Sequence, residues 1–130
     1  MMKEPPSNTF HVLEWCPRRG TMRRRGTKIH RSLYELHILG VGVTQCRYLD
    51  DSDAMVRDYI ALEYGLTKEQ VAEPKIVYHS AELIRSPDSN GYRGRIVYHE
   101  EETRVHGLTK GDVLTQLLHE LALLVERTPE

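Results

Sequence analysis

Residues 34–65 read Y-E-L-H-I-L-G-V-G-V-T-Q-C-R-Y-L-D-D-S-D-A-M-V-R-D-Y-I-A-L-E-Y-G. The stretch opens with Tyr34, Leu36 and Ile38 alternating against Glu35, His37 and Leu39, the period of two of a half-buried strand. Gly40-Val41-Gly42-Val43 then permits a tight reversal. A second strand is expected from Val43 to Leu49, where β-branched and aromatic residues gather. At Asp50 the period changes. Met55, Tyr59 and Leu62 share one helical ridge, and Val56, Ile60 and Tyr64 share the next, which predicts a helix over 50–64. Asp50, Asp51, Ser52 and Asp53 crowd its start, where side-chain oxygens are expected to cap free amides and negative charge suits the dipole. Gly65 stands where a left-handed C-terminal cap belongs. The stretch therefore spells strand, turn, strand, helix, with one apolar helix face laid on a small antiparallel sheet.

The blocks G-V-G-V-T-Q and M-V-R-D-Y-I-A-L, at this spacing, resemble the small HicB-like proteins of actinobacteria and their phages. The resemblance spans roughly residues 33–71, about 40 of the 130 residues. It implies a degenerate RNase-H-like β-β-β-α-β fold without catalytic residues. It also implies an antitoxin-like role, in which the module binds and occludes a small RNA-cleaving toxin.

Upstream of the central stretch, residues 1–8 carry two prolines and read as a flexible tail. From Thr9 to Cys16, Phe10, Val12, Glu14 and Cys16 face one way and His11, Leu13 and Trp15 the other. That is a first strand, expected to end at Pro17, which cannot donate to a ladder. P-R-R-G-T-M-R-R-R-G-T-K-I-H-R follows over residues 17–31, without a period, and reads as a long flexible hairpin loop. It holds seven Arg or Lys and no acid, so the remaining 11 basic residues face 19 acidic ones and the rest of the chain carries about −8. Arg18, Arg19, Arg23, Arg24, Arg25, Lys28 and Arg31 are the candidates for contact with RNA, DNA or an acidic protein surface. The alternative is a solvated loop that only balances the acidic body.

Downstream, Leu66 to Pro74 reads as a connector and Lys75 to His79 as a short strand, placed by the crossover rule parallel to the first. Residues 9–81 thus form the β-β-β-α-β module. Ser86 to Gly91 is a loop. I-V-Y-H recurs at 96–99, within two expected strands around a turn at Glu100 to Glu102. A capping-box-like Thr109-Lys110-Gly111-Asp112 then opens a helix. Val113, Leu114, Leu117, Leu118, Leu121, Leu124 and Val125 give it an amphipathic stripe. Residues 82–130 are accordingly a β-β-α extension or a truncated second copy. Leu117, Leu121, Leu123 and Leu124 are candidates for a homodimer interface, unless the 92–107 strands and the tail cover the surplus apolar face. The fold class is α+β.

The chemistry is sparse. Seven histidines include no H-x-x-x-H pair, and two cysteines make neither C-x-x-C nor a disulfide framework. His79, His99 and His106 lie on expected strands, and the acids at Asp50, Asp51, Asp53 and Asp58 are explained by the helix start and surface. No metal, cofactor or catalytic group is expected, and Cys46 reads as a packed or edge thiol. No apolar run suits a membrane span, and the N-terminus lacks a signal peptide's apolar region, so a cytoplasmic protein is expected. The function expected is a non-catalytic binding module of HicB-like type. The alternatives are a nucleic-acid-binding protein working through residues 17–31, and a phage or mobile-element accessory protein acting through protein contacts.

Overall fold

The computed structural model describes residues 8–18, 21–30, 33–86 and 90–127. The chain divides into two compact units, Met1–Tyr78 and His79–Glu130. The first holds β1 (Thr9–Arg18), β2 (Thr21–Arg24), β3 (Thr27–His30), β4 (Leu33–Ile38), β5 (Gly42–Cys46), α1 (Ser52–Tyr64) and α2 (Lys68–Ala72). A further strand, β6 (Lys75–Ser80), crosses the boundary.

The main sheet runs β5-β4-β1-β6. β1 meets β4 antiparallel with Val12 opposite Ile38, and β4 meets β5 antiparallel with His37 opposite Val43. The sheet is mixed, so its remaining pair, β1 with β6, is the parallel one. Lys75 N donates to Asn8 O at 2.7 Å where that pair begins. The expected parallel strand is therefore in place.

α1 fills the groove over this sheet. Its Val56, Ile60 and Tyr64 meet Phe10, Val12, Leu36, Ile38 and Cys46, and Val71 of α2 closes the end of the cluster. The ring centroids of Phe10 and Tyr64 lie 6.3 Å apart. Only one of the two expected ridges is core. Tyr59 is half-buried, Met55 is exposed, and Leu62 is 84% exposed. Close approach of α1 depends on Gly42, where a Cβ would overlap the Tyr59 phenol.

Several boundaries differ from expectation. β1 does not stop at Pro17 but runs to Arg18, with a register irregularity between Trp15 and Arg18, the kind of place where a sheet tolerates proline. β5 ends at Cys46, because the chain turns into a 3-10 helix at Leu49–Asp51. That turn leads directly into α1, whose N-cap Asp51 is already in the helical region and makes no side-chain cap hydrogen bond. Gly65 does close α1 in the left-handed conformation, at φ 67°. The expected connector contains α2, held by a reciprocal capping box between Thr67 and Gln70.

The second unit holds β7 (Glu82–Arg85), β8 (Tyr92–Tyr98), β9 (Glu101–Gly107) and α3 (Lys110–Arg127). Its sheet is an antiparallel meander, β7-β8-β9, with Gly94 opposite both Leu83 and Val105. The expected β-β-α extension is thus β-β-β-α. Its β8–β9 turn falls on His99 and Glu100, both at positive φ, one residue earlier than expected. α3 packs on β8 and β9. A Cβ on Gly94 would overlap Val113 and stand 2.9 Å from Leu117 Cδ1, so this glycine lets the helix sit down on the central strand. Asp112 N donates to Thr109 Oγ1 at 3.1 Å, the expected cap.

The I-V-Y-H echo falls on strands that are not equivalent. Residues 76–79 lie in an edge strand of the mixed sheet, and 96–99 end the central strand of the meander. The candidate interface is also corrected. Leu117, Leu121 and Leu124 are core residues within the single chain, and only Leu123 is exposed, at 38%. Their cover is β8 and β9, the 92–107 strands named above as the alternative to a dimer.

Candidate functional site

The basic segment is not a loop. Thr21–Arg24 and Thr27–His30 form a two-stranded antiparallel sheet of their own, which pairs with no other strand among the described residues. Its register places Thr21 opposite His30, Met22 opposite Ile29, Arg23 opposite Lys28 and Arg24 opposite Thr27. Arg25 and Gly26 make the turn at φ 53° and 79°, the pair of positive values that a two-residue type I′ connection requires. The expectation of a flexible loop missed this because cations stand where strands usually carry apolar residues; the R-G dipeptide was the available signal. Arg25 is exposed at the tip. Arg23, Arg24 and Lys28 lie on the two arms, Arg18 ends β1, and Arg19 and Arg31 lie outside the described residues.

The acidic helix start has a structural occupation. Asp53 accepts from Arg57 Nε at 2.9 Å and from the Tyr78 hydroxyl at 2.9 Å. Partial burial pushes the Asp53 carboxyl up, but the hydrogen bonds from Arg57 and Tyr78 outweigh it and hold it below its usual range. Burial, followed by the bond to Asp53, drives the Tyr78 phenol well above its ordinary value. Arg57 also donates to Val71 O at 2.6 Å and Pro74 O at 3.0 Å. One guanidinium therefore ties α1 to the end of α2 and the entry to β6. The i,i+4 spacing of Asp53 and Arg57 was a visible signal for their ion pair, though not for the two backbone acceptors.

The other titratable groups are dispersed. His37 meets Glu35 at 2.9 Å on β4, beside the Trp15 ring at 6.3 Å. His79 packs on Tyr98 at 5.2 Å, and His99 meets the same ring edge-on at 4.4 Å. His106 stands opposite Arg93 on the meander and does not join them. Among the described residues no three His, Cys, Asp or Glu side chains form a metal-holding group. Cys46 is buried, and that burial, then the charges of Glu14 and Asp51, raise its thiol pKa, which suppresses nucleophilic thiolate. On the exposed face of the second sheet Arg95 bridges Glu82 at 2.5 Å and Glu102 at 3.3 Å, with Arg104 on Glu102 at 2.9 Å. Such solvated pairs contribute little. No helix among the described residues is long and apolar enough to cross a membrane.

No family model, no curated protein and no solved structure matches the chain.

Proposed function

We propose that this chain is a cytoplasmic, non-catalytic binding module with a role similar to that of a HicB-type antitoxin, masking a small RNA-cleaving protein. The observation that carries the reading is the order β1-β4-β5-α1-β6 with sheet order β5-β4-β1-β6, the arrangement that the resemblance implies. Two details support it. The run G-V-G-V-T-Q forms the β4–β5 turn and β5 start, and the V-R-D segment lies in α1, where Arg57 serves as the clamp. Three groups with displaced pKa values are engaged in structure, Asp53 and Tyr78 in the clamp and Cys46 in the core.

The test is to produce the chain together with a small basic RNA-cleaving protein encoded beside it. The two are expected to co-purify in fixed stoichiometry, and the complex to leave a structured RNA intact that the partner alone degrades. A chain that neither binds such a partner nor protects the RNA sinks the reading.

A further inference from the structure

We infer that the hairpin Thr21–His30 is a duplex-DNA-binding ribbon that enters the major groove. The inference does not rest on the proposed antitoxin role.

The first argument is energetic. A two-stranded hairpin is marginal in water, and like charges directly opposite one another weaken a strand pair. This hairpin nevertheless sets Arg23 opposite Lys28 and places an arginine, not a glycine or asparagine, at the first left-handed position of its turn. Between Pro17 and Tyr34 the chain offers no acid to relieve that repulsion. The charges that would stabilise it must come from elsewhere, and a phosphate backbone supplies them at close, regular spacing.

The second argument is dimensional. Arms of four residues at about 3.3 Å each reach roughly 13 Å. B-DNA's major groove, about 12 Å wide and about 8.5 Å deep, admits a two-stranded β-ribbon. The major groove of duplex RNA is too deep and narrow for side chains to read. Because β2 and β3 pair only with each other, no strand of either main sheet is joined to the ribbon's edges among the described residues. Arg23, Arg24, Arg25 and Lys28 supply about four counterion-releasing charges. That number predicts a salt slope of about −3.6, or roughly a 150-fold loss of affinity between 50 and 200 mM salt.

The test uses fluorescence anisotropy of the full chain with a labelled 20-base-pair DNA duplex and with the duplex RNA of the same sequence. DNA is expected to bind more tightly, with that slope, and a major-groove ligand such as methyl green is expected to compete. Arg23→Ser, Arg24→Ser, Arg25→Ser and Lys28→Ser together should abolish binding while leaving the far-ultraviolet circular dichroism and melt unchanged. Should that variant misfold, Arg25→Ser alone, at the exposed tip, should lower the slope by about 0.9. Three results overturn the inference: no DNA binding at 50 mM salt, RNA binding as tight as DNA binding, or a folded variant that keeps its affinity or slope. A partner protein that binds the wild type but not the four-residue variant, in the absence of DNA binding, would reassign the ribbon to a protein contact.

Discussion

In the meander, β8 alternates along its whole length: Gly94, Ile96 and Tyr98 are buried, while Arg93, Arg95 and Val97 face water. In the mixed sheet, β4 buries Leu36, His37 and Ile38 in succession, and β1 buries Leu13 and Trp15 as well as Phe10 and Val12. Both sheets carry a helix on one face, but on the reverse face of the mixed sheet Leu13, Trp15 and His37 are buried, while Val43 and Gln45 at its β5 edge are exposed. The difference explains where the charges go. The wet face holds the Arg95–Glu82–Glu102–Arg104 pairs. The buried part of the other has to find partners for polar atoms, and does so incompletely: His37 meets Glu35, but Trp15 Nε1 is buried without a partner. Strands buried on both faces therefore constrain their sequence more than strands with one face in water.

The comparison is broken most forcefully in the core of α1. Ile60 is fully buried, so Ile60→Asp should cost several kcal/mol, on the order of the whole stability of a small domain. The cooperative thermal melt should vanish. The same change at exposed Leu62 should shift the midpoint little, and equal effects at both positions would rule out the packing of α1 on the mixed sheet.

A sharper contrast lies in the two glycines that receive the helices. Gly94→Ala should cost about 1–3 kcal/mol, because its new Cβ meets the short Val113 side chain, buried and unable to turn away. Gly42→Ala should cost less, since its obstacle is the outer end of half-buried Tyr59, which can swing aside. Denaturant midpoints of the two variants give the order directly.

The smallest effect is expected at the Asp53 clamp. Its carboxyl pKa is depressed by folding, so its contribution is present above the unfolded value near 3.8 and is lost as pH falls through the folded one. Asp53 is half exposed, so solvent screening limits the contribution to at most about 1 kcal/mol. Asp53→Asn should be destabilising near neutral pH, and its gap from the wild type should close below about pH 4. A gap independent of pH would assign the effect to packing of the Tyr78 hydroxyl.

The segments read correctly from sequence are those in which one period ran unbroken between clear stops. Tyr34 to Ile38, the helix ending at Gly65 and the 110–127 helix all satisfy that condition. Failures came where local chemistry competed. Pro17 looked like a terminator, but a register irregularity absorbed it. The pairing of β2 with β3 was hidden because arginine and lysine occupy strand positions. Five-residue α2 is too short to show a period, although its Thr67–Gln70 capping box was legible. β7, with four residues, has the same difficulty. As for the candidate site, composition located the basic segment and the register then gave it a shape. Arg57 was missed as a clamp because its acceptors, Val71 O and Pro74 O, are backbone atoms that no side-chain motif encodes.

The parallel strand β6 has a consequence for how the protein is made. β1 is synthesised before its partner Lys75–Ser80, which follows more than fifty residues later. Until then, one edge of β1 presents unpaired amides and carbonyls, the condition under which strands recruit foreign chains. Closing so distant a contact is slow, and synthesis proceeds at only about 5–20 residues per second. The nascent first unit therefore spends seconds as an open three-stranded sheet, and that interval, more than the finished fold, is when the chain is exposed to misassembly.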